Sequence, residues 1–432
     1  MRILWFTNMV MPPVEEYLGR RKEVLAGWMW ALASQIAAQS DVELAIAASV
    51  PGVAAQKVSL DGIQHYILSQ AAGRSYLPHS ASDLRQALQV IDDFKPDLIH
   101  VHGTERFYGL VGTSQPSHVP VVISIQGILT PYVKYELAGL GLADRVHLVR
   151  VRDLVRFKGP LFETLLNWRA GEREREIIRG NSHFIGRTDW DRAWVQAINP
   201  SAIYHFCDEA LRSPFFERTW SIKKIKRHSI LFTNAMSPRK GIPILLEALA
   251  ILRQAIPDVH LILAGGWYPK SGWGRVVTRK IAALKLGANL TTAGRLTASE
   301  LATMLERTHA FVSPSYIDNS PNSICESMVV GTPCVASFVG GVPTLISHGR
   351  TGLLVPPGDP AMLAATIRQV FENDELACKL SAEARGVARE RHDPAKIVRR
   401  QLDIYSQVVG GHGNEEACCV MSSYIPDARL GV

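Results

Sequence analysis

Cysteine is scarce in this sequence, and its arrangement indicates no structural site. The six cysteines form no C-x-x-C pair, and no histidine lies at the spacing of a zinc ligand. Neither a disulfide framework nor a structural zinc is therefore expected to hold the fold together. With 432 residues, 47% of them hydrophobic and 20% charged, the chain is long enough for two hydrophobic cores of about 200 residues each.

Long apolar runs are missing as well. None approaches the roughly 18 residues that a membrane-spanning helix needs, and the opening residues MRILWFTNMVMPP lack the features of a secretory signal. We therefore expect the chain in the cytoplasm. Its formal net charge of +7 favours an anionic partner, which is a nucleotide, a phospholipid surface or nucleic acid. No nucleic-acid-binding module is visible, so we expect no nucleic-acid partner.

Two series of apolar runs, each alternating with helical patterns, indicate two α/β domains. The first series has runs beginning at Arg2, Val42, Asp97 and Val119, and the second begins with SILFTN at Ser229. This alternation predicts two doubly wound parallel sheets covered by helices. Because such sheets bind ligands at the carboxyl ends of their strands, we expect the function to reside in loops that face a cleft between the domains.

Composition places the domain boundaries. We predict a first domain over 1–217, a polar and basic linker over 218–228 and a second domain over 229–393. The amphipathic pattern over 394–409 predicts a closing helix that packs back toward the first domain. The tail over 410–432 shows little periodicity, and we expect it to be mobile.

One segment, SPSYIDNSPNSICESMVVGTPCVAS from Ser313 to Ser337, carries most of the functional signal. Ser320 and Pro321 suit the N-cap and first position of a helix, whose free N–H groups would bind an anion such as a diphosphate. Asp318 and Glu326 lie before and within that helix. Their two carboxylates would flank one ligand and accept hydrogen bonds from its hydroxyl groups.

A structural interpretation of the same helix stays open. Ser323 and Glu326 have the spacing of a capping box, in which the glutamate only satisfies the helix start. The wider segment favours the ligand interpretation, because it resembles the signature of glycosyltransferase family 4, which has the GT-B fold. The similarity covers an acidic residue, seven residues and a glutamate, then GTPCVAS, SFVGGVPTLI and TGLLVPPGDP, about 45 residues in all.

The resemblance implies a fold, a reaction and a donor site. It implies two Rossmann-like domains, with the acceptor on the first and a nucleotide sugar on the second, and transfer with retention to a growing glycan. Glu326 would hold the ribose hydroxyls, Asp318 would face the donor sugar, and the backbone amides of Asn322 and Ser323 would approach the phosphates. The turn Gly340–Gly341 belongs to the same pattern. The family usually has glutamate at the position of Asp318.

A basic turn, NAMSPRKG, follows the first strand candidate of the second domain and places Arg239 and Lys240 at its carboxyl end. A cation there would stabilise charge on the leaving diphosphate, and the resemblance favours Lys240 as the phosphate-binding lysine. The arginine that the family carries a few residues earlier is missing near Asn234, so Arg239 or Arg295 would substitute. The alternative is a solvated basic turn.

Candidate residues in the first domain also follow strands. In DLIHVHGTE, His100 and His102 share a strand face, with His102 nearer the carboxyl end. A His-x-His pair can ligate a metal, but no acidic or cysteine cluster completes a site, so we expect no metal and a structural His100. Gln126 stands where many family members carry a histidine that contacts the donor sugar. It can form hydrogen bonds but cannot act as a base.

Two further residues match segments of the family. Gly27 corresponds to the start of the first helix of relatives, and Arg187 in GRTDWDRAW lies where a side chain would reach a phosphate. We place both on the acceptor side, together with His102. The alternative for Arg187 is an ordinary helix start, with Thr188 as N-cap and Asp189 favourable to the helix dipole.

The stretch between Arg145 and Arg179 is basic and interleaved with apolar and aromatic residues. Such a stretch can lie on an anionic membrane surface, or it is a solvated helix that packs its apolar face on the core. The first interpretation predicts a peripheral protein at the inner membrane face and a lipid-linked acceptor for surface polysaccharide synthesis. Arg152, Arg156 and Lys158 would then contact the lipid.

Three functional hypotheses follow. The main one is a retaining, hexosyltransferase-like glycosyltransferase that needs no metal or other cofactor, as the resemblance implies. A nucleotide-sugar epimerase of similar fold is an alternative, although Gln126 removes a group that could act as acid or base. A non-catalytic GT-B scaffold is the third, and the departures at Asp318, Gln126 and Asn234 support it.

Overall fold

The computed structural model describes residues 1–20, 27–71, 79–115, 118–141, 144–145, 148, 160–265, 269 and 271–411. The first sheet contains β1 (Arg2–Thr7), β2 (Glu43–Pro51), β3 (Gln56–Leu60), β4 (Ile63–Gln70), β5 (Leu98–His102), β6 (Val121–Ser124), β7 (His183–Gly186) and β8 (Ile203–Phe206). The second contains β9 (Lys226–Thr233), β10 (His260–Ala264), β11 (Leu290–Gly294), β12 (Thr308–Ser313), β13 (Cys334–Ser337) and β14 (Leu353–Val355).

Helices connect these strands. They are α1 (Pro12–Tyr17), α2 (Gly27–Ala37), α3 (Ala81–Phe94), α4 (Val111–Ser114), α5 (Leu129–Tyr132), α6 (Pro160–Gly180), α7 (Asp189–Ile198), α8 (Ile242–Ala255), α9 (Gly272–Ala283), α10 (Ala298–Arg307), α11 (Asn322–Val330), α12 (Val342–Leu345), α13 (Pro360–Glu372), α14 (Asp374–Arg391) and α15 (Pro394–Val409). Short 3₁₀ turns cover Phe107–Leu110, Val133–Tyr135, Ser213–Phe215, Pro238–Lys240 and Gly287–Asn289.

Both sheets are doubly wound, as the alternation of strands and helices predicts. The strand order is β3-β4-β2-β1-β5-β6-β7-β8 in the first sheet and β11-β10-β9-β12-β13-β14 in the second. The central strands are parallel and almost wholly buried, which accounts for their continuous apolar runs. The loops that follow β1, β5 and β6 therefore lie side by side, and so do those that follow β9, β12 and β13.

One antiparallel pair interrupts the parallel pattern of the first sheet. β3 pairs with β4 through a two-residue turn at Asp61 and Gly62, both of which have positive φ. An Asp-Gly pair favours this turn because both residue types tolerate the left-handed region of backbone conformation. The hairpin lies at the edge of the sheet and does not reach the cleft between the domains.

The segment between the sheets differs from the predicted linker. β9 begins at Lys226 rather than Ser229, and Trp220 lies in the core of the second sheet, where its indole N–H donates to the carbonyl of Thr308 at 2.8 Å. One large buried side chain therefore anchors an otherwise polar and basic stretch. The domain boundary itself stays a prediction.

The closing helix, α15, comes after the second sheet in the chain but packs against the first. Its Tyr405 is fully buried, and the hydroxyl accepts a hydrogen bond from the indole N–H of Trp5 at 3.0 Å. The same hydroxyl lies 2.6 Å from Nδ1 of His100. Of the helices that the structure describes, none has the length and apolar character to cross a membrane. The predicted mobile tail lies outside the described residues beyond Gly411.

Candidate active site

Two candidate residues of the second domain form an ion pair. Nζ of Lys240 lies 2.5 Å from Oδ2 of Asp318, and both side chains are largely buried. The contact depends on Gly241, whose φ is +76° and whose Cβ, if present, would lie 1.9 Å from the carbonyl oxygen of Pro314. Any side chain would therefore push the loop after β9 away from the loop after β12. The fold brings together the lysine and the carboxylate that separate motifs indicated.

Helix α11, whose start was predicted to bind a diphosphate, begins one residue later than expected. Pro321, not Ser320, is the N-cap of α11, and Asn322 is the first helical residue. The N–H groups of Asn322 and Ser323 have no acceptor within a helix, so they are the donors that the anion prediction requires. Glu326 is the fifth helical residue rather than the third, and the capping-box alternative is therefore wrong.

Glu326 instead forms an ion pair with a residue that the sequence did not indicate. Nη2 of Arg212 lies 2.6 Å from Oε1 of Glu326. Burial raises the pKa of Glu326 to about 7, opposed by the charge of Arg212 and increased by that of Glu209. Arg212 follows β8 on the way from the first sheet to the second, and no sequence motif marks it. A Cβ on Gly27, the first described residue of α2, would lie 3.4 Å from Cδ of Arg212.

The side chain of Arg187 is paired with a carboxylate, and its predicted contact with a phosphate stays a prediction. Its guanidinium donates to the buried carboxylate of Glu209 and lies 5.5 Å from the ring of Trp28. The other oxygen of Glu209 accepts from the side-chain amide of Asn322 at 3.2 Å. Thr188 caps α7 in a capping box with Asp191, as the alternative proposed. The charge of Arg187 is therefore compensated, and its position supports the helix start of α11.

Arg239 is the better placed of the two candidate substitutes for the family arginine. Its guanidinium lies 4.6 Å above the ring of Tyr132, and Nη1 is buried without a hydrogen-bond partner among the described residues. Arg295 is exposed and follows β11, the edge strand of the second sheet. Asn234, exposed with φ of +68°, and Ala235, which is buried, lie near the position of the family arginine, and neither side chain carries a positive charge.

The two candidates of the first domain have polar atoms without partners. Nε2 of His102 and Nε2 of Gln126 are both buried, and neither finds a hydrogen-bond partner in the part of the chain that the structure describes. Burial, with His100 and Arg187 adding to it, lowers the pKa of His102 well below its usual range, so the ring is neutral at neutral pH. His100 is structural: its ring nitrogens contact Tyr405 and, at 2.7 Å, the hydroxyl of Ser124.

A metal site was not expected beside the histidines. Among the described residues, no group of three or more histidine, cysteine, aspartate or glutamate side chains is arranged to hold a metal ion. The prediction that the reaction uses no metal stays a prediction.

Two polar residues beside these candidates were missed. The side-chain amide of Asn8, after β1, donates to the carboxylate of Glu105, after β5. Burial raises the pKa of Glu105 to about 7; the charge of Glu174 adds to the shift, and the charges of Arg106 and Arg173 oppose it. The only signal in the sequence was an acidic residue shortly after a strand end.

Glu174 holds the loops after β5 and β6 in place. Its carboxylate accepts hydrogen bonds from the hydroxyl of Thr104 at 2.7 Å, and from the backbone N–H groups of Leu129 at 3.0 Å and Thr130 at 2.9 Å. Glu174 is fully buried in α6. No pattern in the sequence indicated this role, because local periodicity does not show where a helix inserts a charge.

Asn319 connects the two domains, and the neighbouring Asp318 is held within the second domain by the Gly340–Gly341 turn. The backbone N–H of Gly341 donates to the carbonyl of Asp318 at 3.0 Å, and Gly340 has no room for a Cβ, which would lie 2.0 Å from that oxygen. The side chain of Asn319 accepts from the hydroxyl of Thr188 at 2.6 Å and donates to Asp191 at 2.8 Å. The Gly340–Gly341 turn thus positions the loop that carries the donor-side carboxylate.

This arrangement can be compared with known proteins. A family model described as glycosyl transferases group 1 matches residues 217–387. A D-inositol 3-phosphate glycosyltransferase from Pseudarthrobacter chlorophenolicus is 36% identical over 291 residues, which is 64% of this chain and 67% of that protein. This chain belongs to the group 1 glycosyl transferases. The chain spans only 41 to 47% of the length of other curated relatives that it matches.

Solved structures show the fold of this group 1 glycosyl transferase. A sucrose-phosphate synthase from Thermosynechococcus elongatus superposes with a TM-score of 0.71 over 95% of this chain and 100% of that one, at 18% identity. HepE from Anabaena, solved with UDP-glucose, gives 0.66 over 94% and 100%, at 17% identity. The predicted architecture, two α/β domains in the GT-B arrangement, is confirmed. The roles of the individual site residues stay predictions.

Proposed function

We propose that this glycosyl transferase moves a sugar from a nucleoside diphosphate sugar to a hydroxyl group of a growing glycan, with retention at the anomeric carbon. The proposal depends on one grouping: Lys240 and Arg239, after β9, contact the loop that leads from β12 to the start of α11. Lys240 pairs with Asp318 of that loop, and the carbonyl of Arg239 accepts from the N–H of Tyr316. Cations and free N–H groups in a buried cleft stabilise the charge that develops on a leaving diphosphate. The UDP-glucose bound to the structural neighbour HepE supports this donor class.

The proposed reaction exchanges one bond for another on the same face of the sugar. The bond from the anomeric carbon to the diphosphate oxygen breaks, the bond to the acceptor oxygen forms, and the leaving phosphate takes the acceptor proton. This course follows from the resemblance to family 4. It suits the site because Gln126 cannot act as a base and because Asp318 is engaged with Lys240. No metal or other cofactor is required.

The donor and the acceptor would occupy opposite walls of the cleft. On the donor side, the backbone amides of Asn322 and Ser323 would bind phosphate, while Oε2 of Glu326 would accept from the ribose. On the acceptor side, the unpartnered nitrogens of His102 and Gln126 would hold sugar hydroxyls. The carboxylate of Glu105 would accept a hydrogen bond from the attacking hydroxyl.

The proposed acceptor is a lipid-linked sugar at the inner membrane face, for surface polysaccharide synthesis. Two large apolar side chains of α6, Leu165 and Trp168, are 46% and 54% exposed. They follow the basic segment 145–159 in the chain, most of which lies outside the described residues. Exposed aromatic and aliphatic groups next to basic ones favour contact with an anionic membrane, and the buried Glu174 shows that the opposite face of α6 packs on the protein.

The test is nucleotide release from UDP-, GDP- and ADP-sugars, with and without a glycolipid extract as acceptor. We expect release from one donor, abolished in Glu326→Ala and Lys240→Ala. The matched controls are Glu375→Ala and Lys379→Ala, because both side chains are exposed on α14, and they should keep the wild-type rate. Conversion of the sugar without nucleotide release would favour the epimerase. Failure to bind or cleave any donor would favour the scaffold.

A further inference from the structure

Arg239 differs from three other cations of the candidate site. Lys240 is paired with Asp318, Arg212 with Glu326 and Arg187 with Glu209. In contrast, the Nη1 atom of Arg239 is buried without a hydrogen-bond partner in the described parts of the chain. A buried guanidinium N–H without an acceptor is unfavourable, so its position indicates a donor that is directed at an anion.

The surface that supports Arg239 comes from the other domain. Arg239 lies in the turn after β9, in the second domain, and its guanidinium stacks 4.6 Å above the ring of Tyr132. Tyr132 ends α5, which follows β6 of the first domain. A cation above an aromatic face is attracted to it, and the attraction grows when water is excluded. The contact therefore crosses the cleft.

Tyr132 is itself fixed from several directions. Its ring stacks on that of Trp190, with the ring centroids 5.9 Å apart. A Cβ on Gly127 would lie 3.2 Å from the ring. Tyr132 is 7% exposed. A ring held in this way offers the guanidinium of Arg239 a fixed face to stack on.

We propose that Tyr132, from the first domain, positions Arg239 so that its unpartnered Nη1 atom is directed at the diphosphate of the donor. The inference rests on the proposed function and assigns Tyr132 as a positioning residue. Because the cation belongs to the second domain and its support to the first, the diphosphate site is complete only when the two domains are in contact.

The test measures binding of UDP and of uridine by calorimetry to Tyr132→Leu, Tyr132→Phe, Arg239→Gln and the double variant Tyr132→Leu/Arg239→Gln. GDP with guanosine and ADP with adenosine are the further probes. We expect Tyr132→Leu and Arg239→Gln each to weaken diphosphate binding by about tenfold or more. The double variant should bind no more weakly than the single variant with the lower affinity, because the two residues act together. Nucleoside binding should not change, and Tyr132→Phe, which keeps the ring, should bind UDP nearly as well as wild type.

The control is Thr344→Val, which removes a different contact between the domains, the hydrogen bond from the backbone of Asp189 at 3.2 Å. It should bind UDP as wild type does. An equal loss in Thr344→Val would show general loosening of the domains and overturn the inference. Additive effects of Tyr132→Leu and Arg239→Gln, or unchanged UDP binding in Tyr132→Leu, would overturn it while leaving the proposed function intact. A wild type that binds none of the three diphosphates would overturn both.

Discussion

Lys240 and Asp318 form a buried ion pair, with Nζ of the lysine 2.5 Å from Oδ2 of the aspartate. The two residues lie in motifs that follow different strands, and each was a candidate for a different part of the donor. Their contact means that a substitution at one changes the electrostatics of the other, so activity and stability must be separated in any test.

Replacing Lys240 by methionine should impair both folding and release. The free energy of unfolding should fall by about 3 kcal/mol, because Asp318 is left buried without its partner, and nucleotide release should fall by about 10²–10³-fold. The double variant Lys240→Met/Asp318→Asn removes the unpaired charge and should recover most of the stability without recovering release. Urea unfolding and a nucleotide-release assay check the two effects. Recovery of release in the double variant would contradict a role for the lysine.

The pH dependence of transfer should report on Glu105. Burial raises the pKa of this carboxyl to about 7, so the ionised form dominates only above that pH. The charged and titratable groups around it are Arg106, Arg173, Glu174 and Tyr132. We expect acceptor-dependent nucleotide release to rise with pH through about 7 in the wild type. Burial also raises the pKa of Glu326 to about 7, so in Glu105→Gln the rise should become smaller rather than vanish. The rate should fall by about tenfold, with donor affinity unchanged. The same rise in the variant would assign it to another group.

Glu174→Gln should destabilise the first domain, whereas Glu172→Gln, on the same helix, should not. Glu174 accepts hydrogen bonds from Thr104, Leu129 and Thr130, and an amide cannot accept all of them, which should cost about 2 kcal/mol of unfolding free energy. Glu172 is half-exposed in an ion pair with Arg175, and its change should stay within about 0.5 kcal/mol. Urea unfolding at neutral pH measures both. Equal stability of the two variants would show that the loop contacts are dispensable.

The protein should lose stability in acid through His100. Burial lowers its pKa to about 3, so between pH 6.5 and 3 the unfolded chain binds a proton that the folded one does not. The stability from this group is present above pH 6.5 and is lost as pH falls, by about 2 kcal/mol between pH 7 and 5. Other buried histidines, such as His392, add to the total slope. Urea unfolding of wild type and His100→Gln at both pH values should show a smaller loss in the variant; an identical loss would mean that His100 does not titrate this way.

Binding to anionic vesicles should depend on the basic segment before α6. Reversing Arg152, Arg156 and Lys158 to glutamate should release the protein from vesicles that contain anionic lipid, because each basic residue near such a surface contributes about 1 kcal/mol. The control reverses three exposed basic residues outside the first domain: Lys223 in the predicted linker, and Arg307 and Lys379 in the second domain. It changes the net charge equally and should leave vesicle flotation unaltered. Equal binding of both triple variants would remove the support for a membrane-bound acceptor.

Local sequence determined much of the framework of this protein. The alternation of apolar runs and helical patterns predicts both doubly wound sheets, because burial of parallel strands on both faces imposes apolar runs on the chain itself. The pattern from Asp318 to Gly341 located the donor side for a similar reason: a strand end, a helix start and a glycine turn are properties of neighbouring residues. Even there, the predicted start of α11 was one residue too early, because a proline suits either the N-cap or the first helical position.

The partners of the site residues were decided by tertiary structure. Several contacts join segments that are far apart in the chain, and no periodicity or spacing in the sequence predicts them. They are the ion pair of Arg212 with Glu326, the stacking of Arg239 on Tyr132, and the hydrogen bonds of Glu174 to two loops. A charged side chain also looks the same in sequence whether it is solvated or buried, since burial depends on what the rest of the fold places over it. The sequence therefore supplied the chemical groups and their order along the chain, whereas the packing of two domains determined which charges are compensated and which face the cleft.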